Sequence, residues 1–215
     1  MTEREIIAKR VAEELPDGGV VNLGIGIPGL AADFIPEGIN IILHSENGLI
    51  GIAGVQGAND PEIKNAGGQM VVPAPDAVTL DSSLSFALAR GGHIDVSVLG
   101  ALQVDKEGNL ANYTAPGKFA PGMGGAMDIV AGAKRVIAAM SHCTRDGCYK
   151  ILDKCTMPLT AVRAVDMIIT ELAVFEVTGE GLLLTEYAPG TSLAEIREKT
   201  GTDFAVSEYV KERRL

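Results

Sequence analysis

The feature that most limits the fold is a repeated handover, in which short aliphatic runs end in small, polar or glycine residues. Residues 39–43 read as a short buried strand and give way to His44-Ser45-Glu46-Asn47-Gly48-Leu49-Ile50-Gly51. Residues 20–23 read as a strand that runs into Gly24-Ile25-Gly26-Ile27-Pro28-Gly29, with a short helix expected over 30–35. Residues 94–99 alternate Asp95 and Ser97 with Ile94, Val96 and Val98. They reach Gly100-Ala101 and are read as continuing through residues 102–105. In open α/β sheets ligands bind outside the carboxyl ends of the strands, so function is expected at these handovers. Glu46 is the ionisable group among them. Alone, it reads either as a solvated turn residue or as a nucleophile or general base. The first glycine loop reads either as a tight strand-to-helix turn or as an anion site built from backbone amides; it lacks the third glycine of a dinucleotide fingerprint. Gly100 reads either as close packing or as an amide donor facing a substrate oxygen.

The remaining chain supplies helices and further strands. Thr2 and Glu5 have capping-box spacing ahead of an amphipathic stretch over 2–15. Residues 52–68, rich in Gly, Ala, Asn and Pro, read as an irregular surface excursion. Residues 70–72 and 77–80 are short strand candidates, and Asp81-Ser82-Ser83 opens a helix that Gly91-Gly92 stops. A second glycine-rich loop, Pro116-Gly117-Lys118 and Pro121-Gly122-Met123-Gly124-Gly125, precedes a short helix over 126–131, and 135–140 is a strand. Three strands are expected over 165–170, 172–177 and 182–186, the last two joined by a hairpin turn at 178–181. Ser192 and Glu195 cap a helix to about residue 199, and 203–215 reads as an exposed arm.

Composition narrows the function classes. At 215 residues, 47% hydrophobic and 21% charged, the chain suits one globular domain over 1–215. Its net charge of −10 argues against a nucleic-acid partner, which calls for a basic face. No run approaches the apolar length of a membrane span and no signal segment opens the sequence, so a cytoplasmic protein is expected. The late set His142, Cys143, Cys148 and Cys155 lacks the Cys-x-x-Cys pair of structural zinc sites; free thiols are expected, and no metal.

Taken together in order, Ser45-Glu46-Asn47-Gly48, Gly91-Gly92-His93, residues 100–104, Gly122-Met123-Gly124-Gly125-Ala126-Met127-Asp128, residues 155–160, 168–171 and 200–206 resemble the B (β) subunit of 3-oxoacid CoA-transferases, family I coenzyme A transferases. The match runs from near residue 4 to near residue 206. It implies an α/β, NagB/RpiA/CoA-transferase-like layered fold with a mostly parallel central sheet. It implies that Glu46 is the catalytic glutamate, carrying CoA as a glutamyl thioester in a ping-pong transfer between an acyl-CoA, of succinyl or acetyl type, and a 3-oxo or short-chain acid such as acetoacetate. Asn22, Gly24, Asn47, Gly100 and Ala101 are the expected oxyanion and substrate-side residues. No cofactor is implied, since coenzyme A is itself substrate and covalent intermediate. A separate A (α) subunit is implied as partner, in an α2β2 assembly, with no nucleic acid and no membrane. One departure is visible: where relatives carry Lys after Asn-Ala-Gly, this chain has Gly68 after Asn65-Ala66-Gly67. The competing readings are an acyl-CoA hydrolase on the same scaffold and a non-catalytic ligand-sensing domain.

Overall fold

The computed structural model describes residues 1–55, 57–115, 117 and 122–213. Helix α1 (Glu3–Ala12) opens on the expected capping box: Thr2 N–H donates to Glu5 Oε2 at 2.7 Å and Glu5 N–H to Thr2 Oγ1 at 3.3 Å. Strand β1 (Val20–Leu23) leads through the first glycine loop into α2 (Ile27–Leu30) and a 3-10 turn (Ala31–Phe34). The helix begins earlier than expected because Pro28 fits its first turn, where no amide partner is needed. Strands β2 (Ile42–Ser45), β3 (Leu49–Gly54) and β4 (Val72–Thr79) follow, then α3 (Ser82–Arg90), whose first turn is capped by Asp81 accepting from Leu84 N–H at 3.0 Å. Next come β5 (Val96–Leu99), β6 (Gln103–Asp105), β7 (Leu110–Ala111), α4 (Ala126–Gly132), β8 (Val136–Ala139), β9 (Ile151–Leu152) and β10 (Met167–Ile169). The chain closes with β11 (Ala173–Thr178), β12 (Gly181–Tyr187), α5 (Leu193–Lys199) and β13 (Phe204–Glu212).

Ten strands join one sheet in the order β13-β12-β11-β10-β8-β5-β1-β2-β3-β4, and β7-β6-β9 form a small second sheet. The five central strands, β10, β8, β5, β1 and β2, are mutually parallel. Both faces are covered, which is why β5 and β8 are buried along their whole length. The period of two sorts their side chains: Val96, Val98, Ile137, Ala139 and Ile169 pack with Ile7 and Val11 of α1, whereas Leu99, Val136, Ala138 and Ile168 pack with Val130 of α4 and Ile196 of α5. The observed class is therefore the expected layered α/β one.

Several expected boundaries move for identifiable reasons. The strand expected over 39–43 runs instead from Ile42 to Ser45, because pairing Val20 with Ile42 and Asn22 with His44 sets the register, while Asn40 bonds back to Asp17 and Gly18. The excursion expected from residue 52 begins only after Gly54, since Ile52 to Gly54 still pair with β4. The two strand candidates at 70–72 and 77–80 are one irregular strand, β4. It tolerates Pro73 and Pro75 because it is the sheet's edge. Residues 94–99 do not continue into 102–105: the chain leaves the large sheet at Gly100 and enters the small one.

The expected exposed arm is β13, parallel to β12. Its Phe204 is buried, and Arg213, 5% exposed, reaches the carbonyls of Thr170 and Glu171. Of the charges that suggested an arm, Glu208, Lys211 and Glu212 are exposed residues of this strand, and Arg213 is buried just beyond it. Of the second glycine loop, Pro116, Lys118 and Pro121 lie outside the described residues, as do Gln56 of the excursion and the last two residues of the expected arm.

Candidate active site

The strand order β5-β1-β2 places three handovers side by side at one edge: Gly100-Ala101, Gly24-Ile25-Gly26 and Glu46-Asn47. The chain runs outward from β1 to β2 and β3 and later returns to β5 on the other side of β1. The carboxyl ends of β1 and β5 therefore flank a topological switch point, where open α/β sheets bind ligands.

The Glu46 turn is held rigidly. Gly48 has φ of 118°, and a Cβ there would lie 2.1 Å from the Leu80 carbonyl oxygen, so only glycine fits. Gly48 N–H donates to Ser45 O, and Leu80 N–H to Gly48 O, which ties the turn to the start of α3. Across the turn, Ser45 Oγ accepts from Ala66 N–H at 2.8 Å, and Asn47 Nδ2 donates to Lys64 O at 2.8 Å. Asn47, an exposed residue, thus uses its side-chain N–H to hold the 64–66 segment.

Glu46 itself is half-buried. Asn22 Nδ2 lies 3.3 Å from Glu46 Oε2, 3.2 Å from the His44 carbonyl oxygen and 3.4 Å from His44 Nδ1. His44 Nε2 lies 3.1 Å from Ser85 Oγ on α3. Register pairs His44 with Asn22 and Asn22 with Ser97, making a polar row across β2, β1 and β5. Burial pushes the His44 imidazole below its ordinary range; the Glu46 charge beside it and Ser85 pull the other way. No Lys or Arg nitrogen lies within ion-pair distance of Glu46 among the described residues.

The other expected residues divide. Gly24 N–H donates to Val98 O at 2.8 Å, so its amide belongs to the sheet and is not a free oxyanion donor; a Cβ there would lie 3.1 Å from the same oxygen. Gly100 is half-buried, with open space around it: a Cβ would meet only Ile25 O, at 4.0 Å. Ala101 packs on the core cluster. Gly125, the residue before α4, was not expected at the site. A Cβ on it would lie 3.2 Å from Glu46 Cγ and 2.8 Å from Phe86 Cε1, so glycine lets the first turn of α4 press against the Glu46 stem. Its signal was the paired glycines directly before the helix.

Concavities of about 450 Å³ and 800 Å³ lie elsewhere, lined by residues such as Tyr149, Arg197, Thr200, Asp203 and Phe204. They contain none of the handover residues. The late cysteines also diverge: Cys143 Sγ bonds to Lys199 O, Cys155 Sγ to Asn109 O, and Cys148 is exposed. Burial, with Asp105 beside it, pushes the Cys155 thiol up to about 12.

The sequence and the fold match known proteins. The coenzyme A transferase family model matches residues 4–199. The chain belongs to the coenzyme A transferase family. It is 54% identical to the beta chain of the acetate CoA-transferase of Escherichia coli, covering 100% of this chain and 99% of that one. It is 45% identical to the B component of a probable succinyl-CoA:3-ketoacid coenzyme A transferase of Bacillus subtilis, covering 96% of this chain and 97% of that one. A solved acyl-CoA transferase from Escherichia coli superimposes with a TM-score of 0.79 at 28% identity, over 99% of this chain and 43% of that one. Coenzyme A transferases thus share this chain's fold across its length.

Proposed function

We propose that this chain is the catalytic β subunit of a CoA-transferase that moves CoA between an acyl-CoA and a short-chain or 3-oxo carboxylic acid, with Glu46 as nucleophile. One observation carries the reading: the Glu46 carboxylate stands at the switch-point edge, held by Asn22 Nδ2 at 3.3 Å and pressed on Gly125, with no cation neutralising it among the described residues. A carboxylate tied up in an ion pair makes a poor nucleophile; this one is oriented but free.

The chemistry needs a carboxylate. A Glu46 oxygen adds to the thioester carbonyl, the C–S bond breaks and CoA leaves as thiolate, giving an acyl–glutamyl anhydride. The thiolate adds to the glutamyl carbonyl and expels the first acid, leaving CoA as a thioester on Glu46. The second acid reverses both steps, so kinetics are ping-pong. A Ser or Cys nucleophile could carry the acyl group but not the CoA. The amide of Gly100 and the start of α4 at Gly125 are the oxyanion-side groups in this scheme, with Asn22 Nδ2 orienting the Glu46 carboxylate. No resident cofactor takes part.

An α subunit completes the site, on the pattern of relatives named as beta or B components. The rim supports this: Ile25, Leu84 and Met127, next in sequence to Gly24, Ser85 and Ala126, are 78%, 46% and 49% exposed. Exposed apolar side chains one residue away from these positions suit burial by a second chain, which also excludes water from hydrolysable intermediates. An α2β2 assembly is part of the same proposal. The free thiols and the lack, among the described residues, of any helix long and apolar enough to cross a membrane fit a cytoplasmic enzyme.

The test is Glu46→Ala in the co-expressed complex, assayed for transfer from acetyl-CoA and succinyl-CoA to acetate and acetoacetate. Transfer should drop by several orders of magnitude. Acyl-CoA without acceptor should add the mass of CoA to this chain at Glu46. Near-normal transfer, or a label elsewhere, overturns the reading. Rapid release of free CoA without acceptor would point to hydrolysis.

A further inference from the structure

Behind Glu46 is a polar chain that nucleophilic attack does not itself require: Ser85 Oγ, His44 and Asn22, linked at 3.1 Å and 3.4 Å, with Asn22 then reaching Glu46 at 3.3 Å. His44 and Ser85 are 4% and 0% exposed, so neither can touch substrate directly. Each connection fixes the next. The Asn22 carboxamide faces two oxygens that can only accept, the His44 carbonyl and the Glu46 carboxylate. Its NH₂ group must therefore point at them, because the flipped amide would set oxygen against oxygen. That orientation leaves His44 Nδ1 facing the same NH₂ group, whose two hydrogens three acceptors share, so Nδ1 carries no proton. The imidazole proton is then on Nε2, where it donates to Ser85 Oγ. The whole arrangement holds only for a neutral ring, and burial favours that form.

We infer that His44 and Ser85 are positioning residues that lock the Asn22 carboxamide, and through it the Glu46 carboxylate, in the orientation that attacks the thioester. The inference rests on the reading of Glu46 as nucleophile. Without the ring's lone pair at Nδ1, the Asn22 amide keeps the residue 44 carbonyl but loses one of the three acceptors that fix its orientation, and its bond to the Glu46 oxygen loosens. The carboxylate then samples orientations away from attack. Binding of the CoA body, remote from this relay, does not change. The signature is therefore a loss in the chemical steps with KM preserved. Gln is the conservative replacement, since its carbonyl can accept from Asn22 while its amide donates to Ser85; Leu fills the volume and does neither.

The experiment uses the complex of this chain with its α subunit and the variants H44L, H44Q, S85A and E46A. Four quantities are read: kcat and KM for acyl-CoA, the rate at which CoA mass appears on the chain after mixing with acyl-CoA alone, and the thermal midpoint. H44L is expected to lower kcat and the rate of covalent loading together by about 10–100-fold, the range typical for partners that orient a reacting group, with KM within about twofold. H44Q is expected to recover most of that loss, and S85A to fall between wild type and H44L. Equal kcat for H44L and wild type overturns the relay, as does an H44Q as slow as H44L with the same thermal midpoint. If H44L does not assemble, S85A decides: a reduced kcat with unchanged KM supports the relay, and an unchanged kcat overturns it. The E46A arm separates the two ideas. Transfer surviving in E46A removes the nucleophile reading itself; an inactive E46A beside a normal H44L removes only the relay.

Discussion

Two histidines are buried at the carboxyl ends of parallel strands, His44 in β2 and His142 just past β8, and they face opposite circumstances. His44 is wired through Asn22 to a carboxylate at the surface, and the Glu46 charge partly counters the effect of burial on its ring. His142 lies between two threonine hydroxyls, Thr170 at 2.9 Å and Thr200 at 3.0 Å. Burial first, then the nearby Lys199 charge, pushes it down to about 4. Thr170 Oγ1 is 3.0 Å from Ala173 O and Thr200 Oγ1 2.7 Å from Ile196 O, so both hydroxyls have carbonyls to donate to. A neutral ring has one N–H, so one threonine must turn its proton to the ring instead. The same residue type at the same edge of one sheet thus does two jobs. Around His142 every contact closes inward and stitches α5 to β10; around His44 the contacts lead outward to an atom that can react.

The sharpest way to break this contrast is to remove the outward link. Asn22→Ala in the complex should lower kcat by about 10²–10³-fold, the usual effect of losing one donor at a reacting oxygen, or about 2.7–4 kcal/mol. Its thermal midpoint should move far less than its rate; if both fall together, Asn22 is a structural amide like the groups around His142. The inward cluster should show the converse. His142→Leu leaves buried hydroxyls with fewer partners and should cost about 2–3 kcal/mol of stability, with kcat of the folded complex unchanged. A kcat effect as large as that of Asn22→Ala would erase the distinction.

Acid sharpens the contrast further. His142 in the unfolded chain takes a proton below about 6.5, whereas in the fold it stays neutral until about 4. The unfolded state therefore binds more protons across that window, and stability falls as pH drops from about 6.5 to about 4, then levels off. The shift corresponds to roughly 3 kcal/mol. Denaturant midpoints measured across this range should show the fall, and His142→Leu should flatten it. His44, whose ring is also held down, contributes in the same direction. A curve equally steep in the variant would show that other groups carry the acid sensitivity.

The inward half of the molecule was the more legible in sequence. Thr2 with Glu5, Asp81 and Ser192 announced three helix starts through local hydrogen bonding, and aliphatic alternation announced the core strands. What failed depended on distant partners. The charges of 203–213 hid a strand because only its pairing with β12 shows which half faces out. At the candidate site, the motif pointed to Glu46 and the resemblance to Asn22, and the structure sets the two side chains 3.3 Å apart. Gly24 was assigned an amide donor role that its bond to Val98 O precludes, since sequence does not reveal which amides a ladder consumes. Gly125 and Ser85 were missed as site residues because 79 and 39 positions separate them from Glu46, and only the packing of α3 and α4 over the turn brings them in.

The smallest expected effect tests the rim rather than either histidine. Asn47 was expected on the substrate side, yet its side chain holds Lys64 O, as Ser45 holds Ala66 N–H. Those two bonds pin the 64–66 segment across the Glu46 turn, and Gly67 brings the chain against Ile25: a Cβ there would lie 3.3 Å from Ile25 Cγ1. Asn47→Ala removes one of the two. The bond lies near solvent, so its loss should cost about 0.5–1 kcal/mol, and Ser45 should keep the segment approximately in place. The expected kinetic result is a rise of a few-fold in KM for acyl-CoA with kcat nearly unchanged, and hydrogen exchange at residues 64–68 should quicken. Ser45→Ala should do the same, and the double variant should exceed the sum, because each bond limits how far the segment moves when the other is gone. A selective fall in kcat for Asn47→Ala would instead return Asn47 to the reacting atoms, and the outward cluster around His44 would then include both amides flanking Glu46.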